Sequence, residues 1–203
     1  MRSAKKALTP APEVEAAEAA RLGARIRELR QAQQMTLEEL AERSGVSRAM
    51  ISKVERGTNN PTLVVAVKIA NGLGVGLTNL LSRPQPRQAR LHLPRAQQPT
   101  FRDEENGFVR HVLSPTFTER GLEFTRHELP ARATTGVLPA SAPGARKYMA
   151  VERGTLHVVL PDERIVLAPG DAYYFEPDMT HEFINAGNGA CVYYLVSASA
   201  SRG

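Results

Sequence analysis

The chemistry available to this chain sits in two groups of residues. The first is the run Ser47-Arg48-Ala49-Met50-Ile51-Ser52-Lys53-Val54. At helical spacing Ile51 and Val54 turn inward, which leaves Arg48, Ala49, Ser52 and Lys53 outward. A short helix with a small, polar and basic outer face is what the DNA major groove admits. An arginine early in such a helix can fork onto guanine O6 and N7, so Arg48 is the first candidate for base reading. Ala49 suits a thymine methyl, and Ser47, Ser52 and Lys53 are further groove-facing candidates. For Lys53 and Arg56 a solvated helix end or an intrahelical pair near Glu55 is the alternative. Thr36, Thr58, Asn59 and Asn60 suit phosphate contacts through side chains or backbone amides. The second group lies in the C-terminal half, where strand alternation puts Lys147, Met149 and Val151 on one face. His181 and Phe183 share a face of their own strand. No Ser-His-Asp signature, glycine-rich phosphate loop or Cys-x-x-Cys is present. His92, His111 and His157 have no partner at ligand spacing, and His127 has only Glu128 beside it.

The elements around the first group form a pattern. Thr36 is placed to cap a helix whose first turn holds Glu38 and Glu39 and whose buried stripe is Leu37, Leu40 and Ala41. Gly45 can take the positive φ of a sharp turn, and Ser47 caps the next helix. A preceding helix over 16–34 would bury Leu22, Ile26 and Leu29, with Arg25, Arg27 and Arg30 largely solvated. Pro10 and Pro12 interrupt any helix before it. Another helix runs over 63–73. Taken in order, LGARIRELR, TLEELAERSGVS, ISKVERG and NPTL resemble the lambda-repressor and Cro-like helix-turn-helix family. The resemblance implies a five-helix DNA-binding domain over residues 20–82.

Charge divides the chain in the same place. Residues 1–90 hold 15 Lys and Arg against 8 Asp and Glu, a net of +7, whereas residues 91–203 hold 11 against 13, a net of −2. The basic half is the one suited to phosphate. Pro84, Pro86, Pro94 and Pro99, with Arg83, Arg87, Arg90 and Arg95, make a semi-stiff spacer between the halves. The single cysteine, Cys191, lies in an apolar run and reads as a buried thiol in a reducing cytoplasm. No stretch reaches the ~18 apolar residues of a membrane span, and the N-terminus lacks a signal-peptide core. A soluble cytoplasmic protein without a membrane partner is expected.

From Phe108 onward short apolar runs alternate with turn residues, including Pro143-Gly144, Arg153-Gly154 and Pro169-Gly170, which predicts a β-barrel or sandwich. Residues 143–156, and Pro169-Gly170-Asp171 followed by Asp178-Met179-Thr180-His181-Glu182-Phe183-Ile184-Asn185, are similar to the two motifs of the cupin family. The two resemblances imply an α+β multidomain chain, with an N-terminal five-helix helix-turn-helix (Cro/C1-type) domain and a C-terminal all-β cupin jelly-roll barrel. Its parts would be a tail at 1–19, the DNA-binding domain, a linker at 83–104, an effector and dimerisation barrel at 105–197 and a tail at 198–203. That pairing resembles bacterial transcription regulators, for which repression is the default.

Metal-binding cupins draw two histidines and a glutamate from the first motif and a histidine from the second. Counted back from Gly154, the glutamate position falls on Lys147 and the histidine positions on Ser141 and Pro143, so only His181 remains. An ammonium repels a divalent ion, so no metal, no cofactor and no enzymatic activity are expected. The Lys147 face points inward in cupins, which makes Arg126, Ser141, Lys147, Met149, Tyr174, His181 and Phe183 the expected effector pocket. A lysine in an apolar barrel needs either an anion, such as a small carboxylate, or a wet mouth into which it snorkels. Three functions are open: a regulator that senses a small molecule, a regulator whose barrel only dimerises, and a metal-dependent enzyme joined to a DNA-binding domain. The expected partners are double-stranded operator DNA, a small-molecule effector and a second copy of the chain.

Overall fold

The computed structural model describes residues 12–83, 86, 89–114 and 122–198, with side chains described from residue 17 on. Helix α1 spans Pro12–Ala32 and so begins earlier than expected. Proline is tolerated at a first helical position, because the N–H it lacks would be unpaired there anyway. Residues 12–19 are therefore helix rather than tail. Thr36 caps α2 (Leu37–Ser44), and Glu39 reaches back to the Thr36 N–H to close a capping box. Gly45 takes φ 65° at the turn, and Ser47 caps α3 (Arg48–Glu55) by accepting from the Met50 N–H. Helices α4 (Leu63–Gly72) and α5 (Leu77–Leu81) complete the five. Ile26, Leu40, Ile51, Val54, Ala66 and Ile69 are fully buried between them.

Two arginines expected in solvent instead fasten α1 to later helices. Arg30 forks onto Glu55 of α3, with Nε at 2.7 Å and Nη2 at 2.8 Å, and also donates to the Met35 carbonyl. Arg25 Nε donates to the Asn79 carbonyl in α5 at 3.1 Å. Where α1 crosses α3 the residue is Gly23, and a Cβ there would stand 2.1 Å from the Val54 carbonyl oxygen.

Among the described residues nine strands form two antiparallel sheets. The larger has the order β1 (Thr100–Arg102), β2 (Val109–Val112), β3 (Leu122–Leu129), β9 (Cys191–Ala198), β4 (Arg146–Arg153), β7 (Ala172–Phe175). The smaller has the order β6 (Arg164–Leu167), β5 (Leu156–Val159), β8 (Glu182–Asn185). Strand β1 falls in the stretch expected to be linker, and its Phe101 is buried. Pro84 and Arg87 of that stretch, and residues 1–11 and 199–203 of the expected tails, lie outside the described residues. Thr125, His127, Leu129, Met149, Val151, Tyr193 and Leu195 of the large sheet are buried against Leu156, Val158, Phe183 and Asn185 of the small one. With no tryptophan in the chain, Tyr193, Phe108 and Phe183 are the bulkiest fully buried residues of this interior.

The domains meet at a hydrogen-bonded junction. Asp103 Oδ2 accepts the Leu63 N–H at the start of α4 at 2.7 Å, and Asn60 donates to Glu104 at 2.9 Å. On α5, the Thr78 N–H donates to Glu123 Oε1 at 3.3 Å, while Arg110 Nη2 donates to Thr78 Oγ1 at 2.8 Å and to Glu123 Oε2 at 2.6 Å. One apolar core runs through both domains, from Leu22 and Ile69 to Phe101 and Tyr193.

Candidate functional site

On α3 the side chains of Ser47, Arg48, Ala49 and Lys53 are exposed and Ser52 is half-buried. Arg48 Nε rests on the Glu38 carboxylate of α2, an exposed pair. Exposed pairs contribute little, so this guanidinium exchanges readily onto another acceptor. Ser52 Oγ receives a hydrogen bond from Arg56. Thr36 and Thr58 are exposed at the ends of α2 and α3, Thr36 in its capping box and Thr58 donating to the Lys53 carbonyl. Asn59 is half-buried against Met50 Sδ at 3.3 Å. Asn60 departs from its expected place. Its amide is committed to Glu104 of the β domain and is not presented with the α3 residues.

In the barrel, Lys147 Nζ lies 2.7 Å from His181 Nε2. His181 Nδ1 is 3.1 Å from the Met179 carbonyl, which can only accept, so Nδ1 carries the proton and Nε2 accepts from Lys147. The ammonium is 5.9 Å from the ring centroids of both Phe175 and Phe183. Among the described residues no carboxylate forms an ion pair with it. Burial, then the Arg110 charge, lower the Lys147 pKa to about 7, with Glu123 opposing. Burial, then the Lys147 charge, lower His181 to about 3, so the imidazole is neutral.

These residues do not fit a cupin metal. The His181 lone pair that would face an ion is engaged by Lys147. At the other ligand positions, Pro143 has no side-chain donor atom and Ser141 offers only a neutral hydroxyl, its N–H being donated to the Pro177 carbonyl at 2.6 Å. Among the described residues no three of His, Cys, Asp or Glu are grouped to hold a metal.

Met149 and Phe183 are buried beside Lys147 and His181, but Arg126 and Tyr174 are not brought there. On β3, Arg126 alternates with the buried Thr125 and His127, so it lies on the outer face and pairs with Glu128 at 3.3 Å and Glu152 at 3.6 Å. The register Lys147↔Phe175 and Met149↔Tyr173 puts Phe175 and Tyr173 on the Lys147 side of the sheet, which turns Tyr174 outward against Tyr148 and Glu176. Sequence reasoning missed Glu123, which shares one inner-face row with Ser197, Lys147 and Phe175. It also missed His127 and Tyr193. Thr125 Oγ1 donates to the Leu195 carbonyl, so it accepts from His127 Nε2 at 3.0 Å, leaving His127 Nδ1 and the Tyr193 hydroxyl buried without partners. Alternation along β3 already separated Glu123, Thr125 and His127 from Arg126; which set faces inward depends on pairing with β9.

Known proteins carry the same arrangement. Residues 26–80 match the helix-turn-helix family, and residues 127–197 match the cupin domain family. The HTH-type transcriptional regulator SutR of Escherichia coli (strain K12) is 28% identical over 166 residues, which are 82% of this chain and 88% of that protein. The uncharacterized HTH-type transcriptional regulator y4dJ of Sinorhizobium fredii is 36% identical over 61 residues, 30% of this chain and 79% of that protein. An HTH_3 family transcriptional regulator from Vibrio cholerae superposes with a TM-score of 0.77 at 22% identity, over 92% of this chain and 99% of that one, so the fold is shared across both domains. The chain belongs to the helix-turn-helix transcriptional regulators, joining a Cro/C1-type DNA-binding domain to a cupin domain.

Proposed function

We propose that this regulator acts in the cytoplasm as a homodimeric repressor on an inverted-repeat operator, and that its barrel senses a small carboxylate without catalysing a reaction. The observation that carries the reading is Lys147, an amine set between two aromatic rings and a neutral imidazole, with no carboxylate paired to it among the described residues. Lys147 is half-buried, and a cation held among such groups is costly without a counter-charge. A ligand carboxylate supplies the counter-charge, and Met149 and Phe183 offer apolar contact to the rest of the ligand. Lone pairs do not converge there as metal catalysis requires, which supports a non-catalytic barrel. On the DNA side, Arg48 reads guanine, with Ala49, Ser47 and Ser52 beside it. Lys53, Thr36 and Thr58 lie at phosphates.

The junction offers a route from ligand to operator. Glu123 shares the inner-face row with Lys147 and also holds the Thr78 N–H and Arg110. A second anion in that row repels Glu123 and competes for Arg110, so full and empty barrels hold α5 differently. Differential affinity for two arrangements is what ligand control of DNA binding requires. The test is a thermal-shift screen of carboxylates, cationic amines and divalent metals against wild type and Lys147→Met. Carboxylates should raise the melting temperature of wild type only, and should release wild-type protein from its operator in a mobility-shift titration. A wild-type response confined to metals or amines would sink the carboxylate reading.

A further inference from the structure

The outer face of the larger sheet carries an apolar stripe left uncovered by the described residues. Strands β3, β9, β4 and β7 bring Phe124, Val196, Tyr148 and Tyr174 into one cross-strand row. Leu122 and Ala198 extend it on one side; Tyr194, Ala150 and Ala172 extend it on the other. Leu122 is 53% exposed, Phe124 37%, Tyr148 46% and Tyr174 45%, high values for side chains of this size. The rings are already ordered, Phe124 stacked on Tyr194 at 5.8 Å and Tyr148 packed on Tyr174 at 4.9 Å. Covering them therefore costs little side-chain entropy.

We propose that this face is where two copies of the chain meet, an inference that rests on the homodimer reading and assigns its surface. Charge excludes nucleic acid as the occupant, because the stripe is bordered by Arg126 and Arg146 against Glu128, Glu152 and Glu176. The same border is self-complementary. Arg146 and Glu176 come next in register after the Lys147–Phe175 pair and so share one row of the same chain, and among the described residues neither forms an ion pair. A two-fold axis running parallel to the strands sets each row against its own copy, aromatic on aromatic, with Arg146 in the row that meets Glu176 of the second copy. Size agrees. Nine apolar positions, on strands ~4.8 Å apart and in rows ~6.8 Å apart, give an apolar centre of about 300 Å². The charged border extends it toward the ~800 Å² per partner of a stable dimer.

Light scattering on the full chain over a concentration series tests this. Wild type should be a dimer, and Phe124→Asp and Tyr148→Asp should be monomers with unchanged circular dichroism. Val166→Asp, on the exposed outer face of the smaller sheet, should remain a dimer. If wild type and both stripe variants are dimers, the face is wrong while the homodimer reading stands. A monomeric wild type overturns both. If an aspartate unfolds the sheet, Tyr148→Cys decides with a flexible bis-maleimide. Cys191 is buried and its thiol is pushed up to about 11, so only the new cysteine should react. Cross-linked dimers support the face, and their absence overturns it.

Discussion

At the scale of single residues, Lys147 makes the pH dependence of this protein predictable. Its ordinary pKa of 10.5 falls to about 7 in the folded chain, because burial and the Arg110 charge disfavour the ammonium against the opposing pull of Glu123. Between those values the unfolded chain binds a proton that the folded chain does not, so stability rises with pH through that window. His181 stays neutral throughout; Cys191, pushed up by burial, offsets the rise above about pH 9, and Tyr193, pushed up likewise, turns the trend downward only above about pH 10. The expected result is a stability gain from pH 7 to pH 9 that approaches at most about 1.4 kcal/mol per pH unit for this one proton. Lys147→Met should flatten it. Urea unfolding at both pH values measures the slope, and an equal slope in the variant would remove Lys147 as its cause. A carboxylate that needs the ammonium should correspondingly bind more weakly as pH rises through about 7.

At the scale of elements, the crossing of α1 over α3 sets the position of the DNA-reading face. Gly23 leaves room for the Val54 carbonyl, and a methyl group 2.1 Å from that oxygen forces the helices apart. Gly23→Ala should therefore destabilise by about 1–3 kcal/mol as an overpacked contact does, against the gain that alanine ordinarily brings to a helix interior. Thermal melts would show it, and an unchanged or raised melting temperature would mean that the crossing relaxes freely. What was legible at this scale follows from where the information is local. Thr36, Gly45 and Ser47 announce the helix-turn-helix because capping and positive φ are decided within a few residues. The apolar runs from Leu122 to Leu195 announce most strands, and the turn count back from Gly154 put Lys147 opposite His181. Strand β1 was not legible, since three residues after Pro99 carry no alternation and owe their conformation to pairing with β2. Tyr174 and Arg126 were placed on the wrong face, because alternation fixes which residues share a side but not which side is buried. The Arg30–Glu55 fork joins residues 25 apart, so Arg30 read as solvated.

At the scale of the whole molecule, the issue is whether two domains behave as two. A charged loop residue, Asp103, is buried and accepts the Leu63 N–H at the start of α4, while its other contacts organise Glu105 and Asn106. Glu123 does the same for Thr78 of α5, and Gly76 makes room for it, since a Cβ there would stand 2.6 Å from Glu123 Oε1. Both carboxylates come from the β domain and terminate in backbone N–H groups of the helical one. None of this was visible in the sequence, where Asp103 falls in a stretch that reads as spacer. With charge-assisted bonds on two helices and one apolar core through both domains, the chain should unfold in a single transition, helical and tertiary signals coinciding. Combining Asp103→Ala with Glu123→Gln removes the bond to α4 and weakens the one to α5, while leaving each domain's own core intact. The two signals should then separate, the helical domain melting first because it is the smaller unit. Coincident transitions in the double variant would show that apolar contact alone couples the domains, and the Glu123 route from barrel to operator would lose its physical basis.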